Sequence, residues 1–218
     1  MSDYQQRFVQ LATARAALRF GEFKLKSGRL SPYFFNAGRF NDGESLALLG
    51  ECYAAALSAA NLEYDMLYGP AYKGIPLVAA TAIALAQGQR RNVPWAFNRK
   101  EAKDHGEAGQ IVGTPLAGRV VIVDDVITAG TAIRESIELI RQAGATPVAV
   151  LLALDREERG QGQTSAVQEV QASFGLRCVS IITLSGLIAA LERGSATSMG
   201  AGTVAAMRQY RQLYGIAP

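Results

Sequence analysis

The spacing of apolar residues changes several times along the chain, and each change marks an element. Phe8, Leu11, Ala12 and Leu18 recur at helical intervals, which predicts an amphipathic helix over residues 4–19. Over 20–36 the period falls towards two, with Phe23, Leu25, Leu30, Tyr33 and Phe35 broken by a turn at Ser27-Gly28. That pattern predicts a hairpin, or two short strands, outside the main sheet. Asp42 is placed to cap a helix over 43–60. Strands and helices then alternate: strand 66–68, helix 75–86, strand 93–97, strand 119–124, helix 132–142, strand 146–154, helix 165–174, strand 178–182, and helices 184–193 and 204–213. Such alternation predicts an α/β fold with a central, mainly parallel sheet flanked by helices. Sheets of that kind bind ligands beyond the carboxyl ends of their strands.

The strand 119–124 carries the most informative chemistry. Val120-Val121-Ile122-Val123 is a buried-strand pattern that ends in two carboxylates, Asp124 and Asp125. The chain then runs through Val126, Ile127, Thr128, Ala129, Gly130 and Thr131 into a helix starting near Ala132. A helix N-terminus exposes unpaired backbone N–H groups and the positive end of the helix dipole, so it seats a phosphate. Paired acids beside a phosphate seat can hold sugar hydroxyls or a metal. The spacing is not that of a nucleoside-triphosphate loop, which needs Gly-x-x-x-x-Gly-Lys-Ser/Thr.

Two further segments carry cations. Gly69-Pro70-Ala71-Tyr72-Lys73-Gly74 lies between a short strand and a helix, where Gly and Pro shape a tight loop whose N–H groups can face an anion. The stretch 99–113 is polar and Gly-containing and holds Arg99, Lys100, Lys103 and His105. Its length and composition predict a mobile loop that closes over a polyanion and excludes water. The alternative is a solvated charged loop, because Glu101, Asp104 and Glu107 nearly balance the cations.

Composition narrows the possibilities. With 218 residues, 49% of them hydrophobic, the chain can bury one substantial core. A net charge of +3 does not indicate a nucleic-acid surface. Cys52 and Cys178 share no metal-ligand spacing, and a single histidine makes a Cys/His metal site improbable. The polar start of the chain lacks a signal segment, and the apolar window 181–191 is too short to span a bilayer, so a cytoplasmic protein without membrane contact is expected.

The Asp-Asp and Thr-Ala-Gly-Thr run resembles the phosphoribosyl-diphosphate signature of the type I phosphoribosyltransferases. The stretch 21–38, which includes Ser31-Pro32-Tyr33-Phe34-Phe35-Asn36-Ala37-Gly38, is similar to the hood of the orotate phosphoribosyltransferase family, as is Lys100-Glu101-Ala102-Lys103-Asp104-His105-Gly106. The resemblance covers nearly the whole chain and implies one domain over 1–218, with a hood mainly over 1–40, a core over about 61–183 and the mobile loop 99–113. It implies transfer of 5-phosphoribose from phosphoribosyl diphosphate to orotate in UMP synthesis. Lys73, Lys103, Asp124 and Asp125 would carry catalysis. Lys26, Tyr72, Lys73, Arg99, Lys100, Lys103, His105 and the run from Asp124 to Ala132 would hold the donor. Lys26, Phe34, Phe35, Thr128 and Arg156 would contact orotate, with the phenylalanines as an apolar wall and the cations facing its carboxylate. The alternative for Arg156 is an ion pair with Glu157 or Glu158. The resemblance further implies a non-proline cis peptide at Ala71-Tyr72, a homodimer with shared sites, and magnesium carried on the substrate diphosphate, with Asp124 or Asp125 touching it through water. Two other functions fit the signature alone: a phosphoribosyltransferase for another base, and a non-catalytic regulator that binds phosphoribosyl diphosphate.

Overall fold

The computed structural model describes residues 1–25, 27–103, 109–127, 130–160, 162–194 and 201–216. Helix α1 (Asp3–Ala14) leads into a two-stranded antiparallel hood, β1 (Leu18–Lys24) and β2 (Leu30–Phe35). Helix α2 (Gly43–Ala59) follows, started by the Asp42 carboxylate, which accepts a hydrogen bond from the Ser45 N–H at 2.8 Å. Next come β3 (Met66–Gly69), α3 (Gly74–Gln89), β4 (Trp95–Lys103), β5 (Gly109–Gly113), β6 (Arg119–Asp124), α4 (Thr131–Gln142), β7 (Thr146–Asp155), α5 (Ala166–Phe174), β8 (Arg177–Thr183), α6 (Leu184–Glu192) and α7 (Ala201–Tyr214).

The main sheet has the order β5-β4-β3-β6-β7-β8, and all its pairings are parallel except β4 with β5. Successive residues of a strand point to opposite faces, so a strand covered on both sides must be apolar throughout. Strand β6 shows the rule: Val121 and Val123 join the core under α1, α2, α3 and α6, whereas Val120 and Ile122 join a second core with Ile133, Ile137 and Ile140 of α4. Strand β7 divides in the same way, with Leu151 on one side and Val150 and Leu152 on the other. This double burial places the carboxyl ends of β3, β6 and β7 along one edge of the molecule.

The expected α/β class is the one observed, and the strand 119–124 has the expected bounds. Two elements differ from the pattern. The first helix stops at Ala14 because Ala17 and Leu18, counted as helical, are buried where β1 opens its pairing with Phe35. Of the stretch 99–113, expected as a loop, residues 99–103 form the second half of β4 and 109–113 form β5, with Asn98 paired to Ile111 and Lys103 to Gly109, while 104–108 lie outside the described residues. An edge hairpin tolerates charged side chains because one side of it stays solvated, so its composition reads as a loop. No helix among the described residues is long and apolar enough to cross a membrane.

Candidate active site

The acid pair stands where β6 ends. Asp125 is almost wholly buried, and its carboxylate accepts from Lys73 Nζ at 2.6 Å through Oδ2 and from the Val126 N–H at 2.9 Å through Oδ1. Asp124 accepts from the Asp125 N–H at 2.8 Å. Its backbone carbonyl takes the Tyr53 hydroxyl at 2.8 Å, which ties the strand end to α2. The Asp125 carbonyl accepts the N–H groups of Ala153 and Leu154, which ties it to β7. Burial, followed by the neighbouring Asp125 charge, pushes the Asp124 carboxyl up to about 7. Two adjacent acids thus share one lysine, and the outer of them is held close to protonation.

Beyond the acids, the chain enters α4 at Gly130, whose φ of +70° is the left-handed conformation a side chain resists. A helix start leaves its first N–H groups without intrahelical partners, and the start of α4 follows Asp124 and Asp125 closely along the chain. Thr128 and Ala129 of the expected phosphate seat, together with Lys26 and His105, lie outside the described residues. Of Lys103, only the backbone is described.

The loop after β3 closes the site from the other side. A Cβ at Gly69 would lie 2.2 Å from the Gly74 carbonyl oxygen, and one at Gly74 would lie 2.9 Å from the Val123 carbonyl oxygen. Only glycines permit this fold-back onto β6, and the fold-back is what brings Lys73 to Asp125. The Ala71-Tyr72 peptide is cis, as the resemblance implied. The Ala71 N–H donates to Asn98 Oδ1 at 2.8 Å, so β4 holds the loop. Tyr72 projects into solvent, and Lys100 Nζ lies 5.2 Å from the centre of its ring. Tyr72, Lys73, Lys100, Asp124 and Asp125 are thus brought to one side of the sheet, and Arg99 follows Asn98 along the same strand.

The residues expected at the base behave differently from one another. Phe34 is half-buried on the outer face of β2, 5.6 Å from the Phe23 ring and under the Arg19 guanidinium. The Phe35 ring points the other way, into the core against Phe8 and Phe40. Of the two rings expected to form an apolar wall, only that of Phe34 lies on the outer face, because adjacent residues of a strand face opposite sides. Arg156, just past the end of β7, is mostly buried and paired with Glu158, the ion pair its sequence left open as an alternative; its guanidinium also lies 4.6 Å from the Tyr33 ring centre. Tyr53 and Asn98 were not singled out in the sequence, because their contacts span distant parts of the chain. Tyr33 was read only as a strand residue, and Glu158 only as one of two alternative partners of Arg156.

Among the described residues no group of three or more His, Cys, Asp or Glu side chains could hold a metal. Burial pushes both thiols, Cys52 and Cys178, up to about 12, which leaves them poor nucleophiles.

A model of the phosphoribosyl transferase domain matches residues 38–173. The orotate phosphoribosyltransferase of Thioalkalivibrio sulfidiphilus is 58% identical over 217 residues, spanning 99% of this chain and 100% of the relative. That of Cronobacter sakazakii is 56% identical over 216 residues, again spanning 99% and 100%. The crystal structure of orotate phosphoribosyltransferase from Francisella tularensis superposes with a TM-score of 0.86 at 38% identity, covering 95% of this chain and 98% of that one.

Proposed function

The chain belongs to the phosphoribosyltransferase family, among the orotate phosphoribosyltransferases, and from that premise we infer that it transfers 5-phosphoribose from 5-phospho-α-D-ribose 1-diphosphate to N1 of orotate. The products are orotidine 5′-monophosphate and diphosphate, and the reaction serves UMP synthesis. The observation that carries this function is the meeting of Asp124, Asp125 and Lys73 beside the start of α4, in a chain that matches orotate enzymes from end to end.

The roles of the residues follow from charge and position. Asp124 and Asp125 accept hydrogen bonds from the ribose hydroxyls. The N–H groups from Val126 through Ala132 seat the 5-phosphate at the helix N-terminus. Lys73, Arg99, Lys100, Lys103 and His105 place cations around the departing diphosphate, where charge grows as the C1–O bond breaks. Arg156 and Lys26 attract the orotate carboxylate, with Phe34 and Thr128 beside the ring. No covalent enzyme intermediate is required: the C1–O bond to diphosphate breaks first, orotate N1 then bonds to C1, and the N1 proton passes to diphosphate or solvent, so catalysis rests on positioning and on neutralising the leaving group.

A magnesium ion fits this donor set. Among the described residues no third acid joins these two carboxylates, and so sparse a set suits an ion that keeps substrate oxygens and water as most of its ligands. Asp124 or Asp125 would hold it through water, and bound there it supplies positive charge to the diphosphate. The active unit is a homodimer: β5 is the edge strand, and a hairpin on a sheet edge can reach the site of a neighbouring subunit. Two cysteines without a disulfide suit a cytoplasmic setting.

A spectrophotometric assay of orotate consumption, with phosphoribosyl diphosphate and magnesium present, tests the function. Orotate should be consumed with release of one diphosphate per turnover. Turnover with uracil or a purine base, and none with orotate, would overturn it.

A further inference from the structure

Arg156 does not stand free in its pocket. Its Nε and Nη2 both donate to Glu158 Oε1, at 3.0 and 2.6 Å. That oxygen also accepts the Tyr33 hydroxyl at 3.2 Å, and Tyr33 is wholly buried in the hood strand β2. The two charged side chains are equally sheltered, each 13% exposed. Glu158 cannot easily swing away, because its backbone is fixed on both sides. Its own residue bridges Gly215, the Arg159 N–H donates to the Tyr214 carbonyl at 2.8 Å, and the Ile216 N–H donates to the Glu157 carbonyl at 2.9 Å. Glu157 is further anchored when Ser185, at the start of α6, donates to its carboxylate from N–H and hydroxyl. A carboxylate is thus clamped between the end of β7, the hood and the tail of α7.

The geometry of a guanidinium gives this pairing a consequence. Its five N–H donors lie in one plane, with the Nε and Nη2 hydrogens forming a side-on pair and the two terminal nitrogens an end-on pair. Glu158 occupies the side-on pair, and the Tyr210 hydroxyl lies against both charged groups from α7. We infer that Glu158 is the positioning residue of base recognition, holding Arg156 so that its end-on N–H pair meets the carboxylate of orotate. Glu158 also halves the charge problem of the pocket. Its charge offsets part of the arginine's, so a guanidinium that Glu158 keeps in the right orientation binds the anionic base and product reversibly. Tyr33 links this arrangement to the hood, so hood and arginine keep one relative position.

The inference rests on the proposed orotate activity, and wild-type turnover measured in parallel separates the two. Glu158→Ala releases the guanidinium and leaves the Tyr33 hydroxyl unpaired; KM for orotate should rise about tenfold or more, with KM for phosphoribosyl diphosphate unchanged. Glu158→Gln keeps an oxygen acceptor for Arg156 and removes the competing charge, so KM for orotate should fall severalfold. In an Arg156→Ala background neither substitution should shift KM for orotate further, because Glu158 acts through that arginine. A purely structural role would lower Tm in both variants and leave KM for orotate in place. An active wild type whose Glu158→Gln variant has an unchanged or raised KM for orotate overturns the inference, whether or not Glu158→Ala folds. So would effects of Glu158 and Arg156 that simply add.

Discussion

Lys73 Nζ rests 2.6 Å from Asp125 Oδ2, yet the lysine side chain is 60% exposed and the aspartate only 7%. The contact joins a solvated, flexible cation to a fixed anion. On the proposed function, an entering diphosphate would draw the lysine away at little cost, because that side chain is largely exposed. Asp125 would then be freed to accept a sugar hydroxyl, and one ion pair would serve both as a placeholder and as a reservoir of charge for the leaving group.

Lys73→Ala should therefore lower kcat/KM for phosphoribosyl diphosphate by about a hundredfold or more, the scale of a lost leaving-group contact. Its Tm should stay near wild type, since the pair is largely exposed on the lysine side. Steady-state kinetics beside thermal unfolding checks this; a large fall in Tm with unchanged kcat/KM would mean that the pair is structural.

The Asp124 carboxyl gives stability a pH dependence whose sign can be stated. Its folded value is raised to about 7, while an unfolded aspartate titrates near about 4. Between those values the folded state keeps a proton that the unfolded state has lost, so rising pH removes stability. Asp124→Asn should be more stable than wild type above neutral pH, and the gap should close as pH falls towards about 4. Thermal unfolding of both proteins across that range, without substrate, measures it. A gap that does not change with pH would show that Asp124 is already ionised throughout.

The neighbouring phenylalanines should separate binding from folding. Phe35→Ala opens a hole beside Phe8 and Phe40 and should cost about 3 kcal/mol or more of stability. Phe34→Ala should cost much less and should instead raise KM for orotate. Denaturant unfolding and orotate titration of the pair would reveal a reversal of these roles.

Shared active sites predict complementation. Mixing Lys103→Ala subunits with Asp125→Asn subunits should restore part of the lost turnover, because one site of each mixed dimer then has both residues intact. Verified mixed dimers without restored activity would place Lys103 and Asp125 of the same chain in one site.

Much of this could be seen in the residues in order. The hydrophobic run of β6 is a strand because every position in it is buried, and burial on both faces needs nothing but apolar residues. The acids that end it stand out against that background, and Gly69 and Gly74 mark a turn even without coordinates. Chain order could not say which carboxylate Arg156 would meet, since Glu157 and Glu158 are equally near along the sequence. The choice fell to Glu158 because Glu157, at φ +50°, turns towards α6 and Ser185. Nor could it say that Phe35 faces inward while Phe34 faces out, because both are equally apolar and only the register of β1 with β2 assigns their sides. Local pattern reports how much of a segment is buried; the partner that each side chain finds depends on residues far along the chain, brought together when the sheet closes its order.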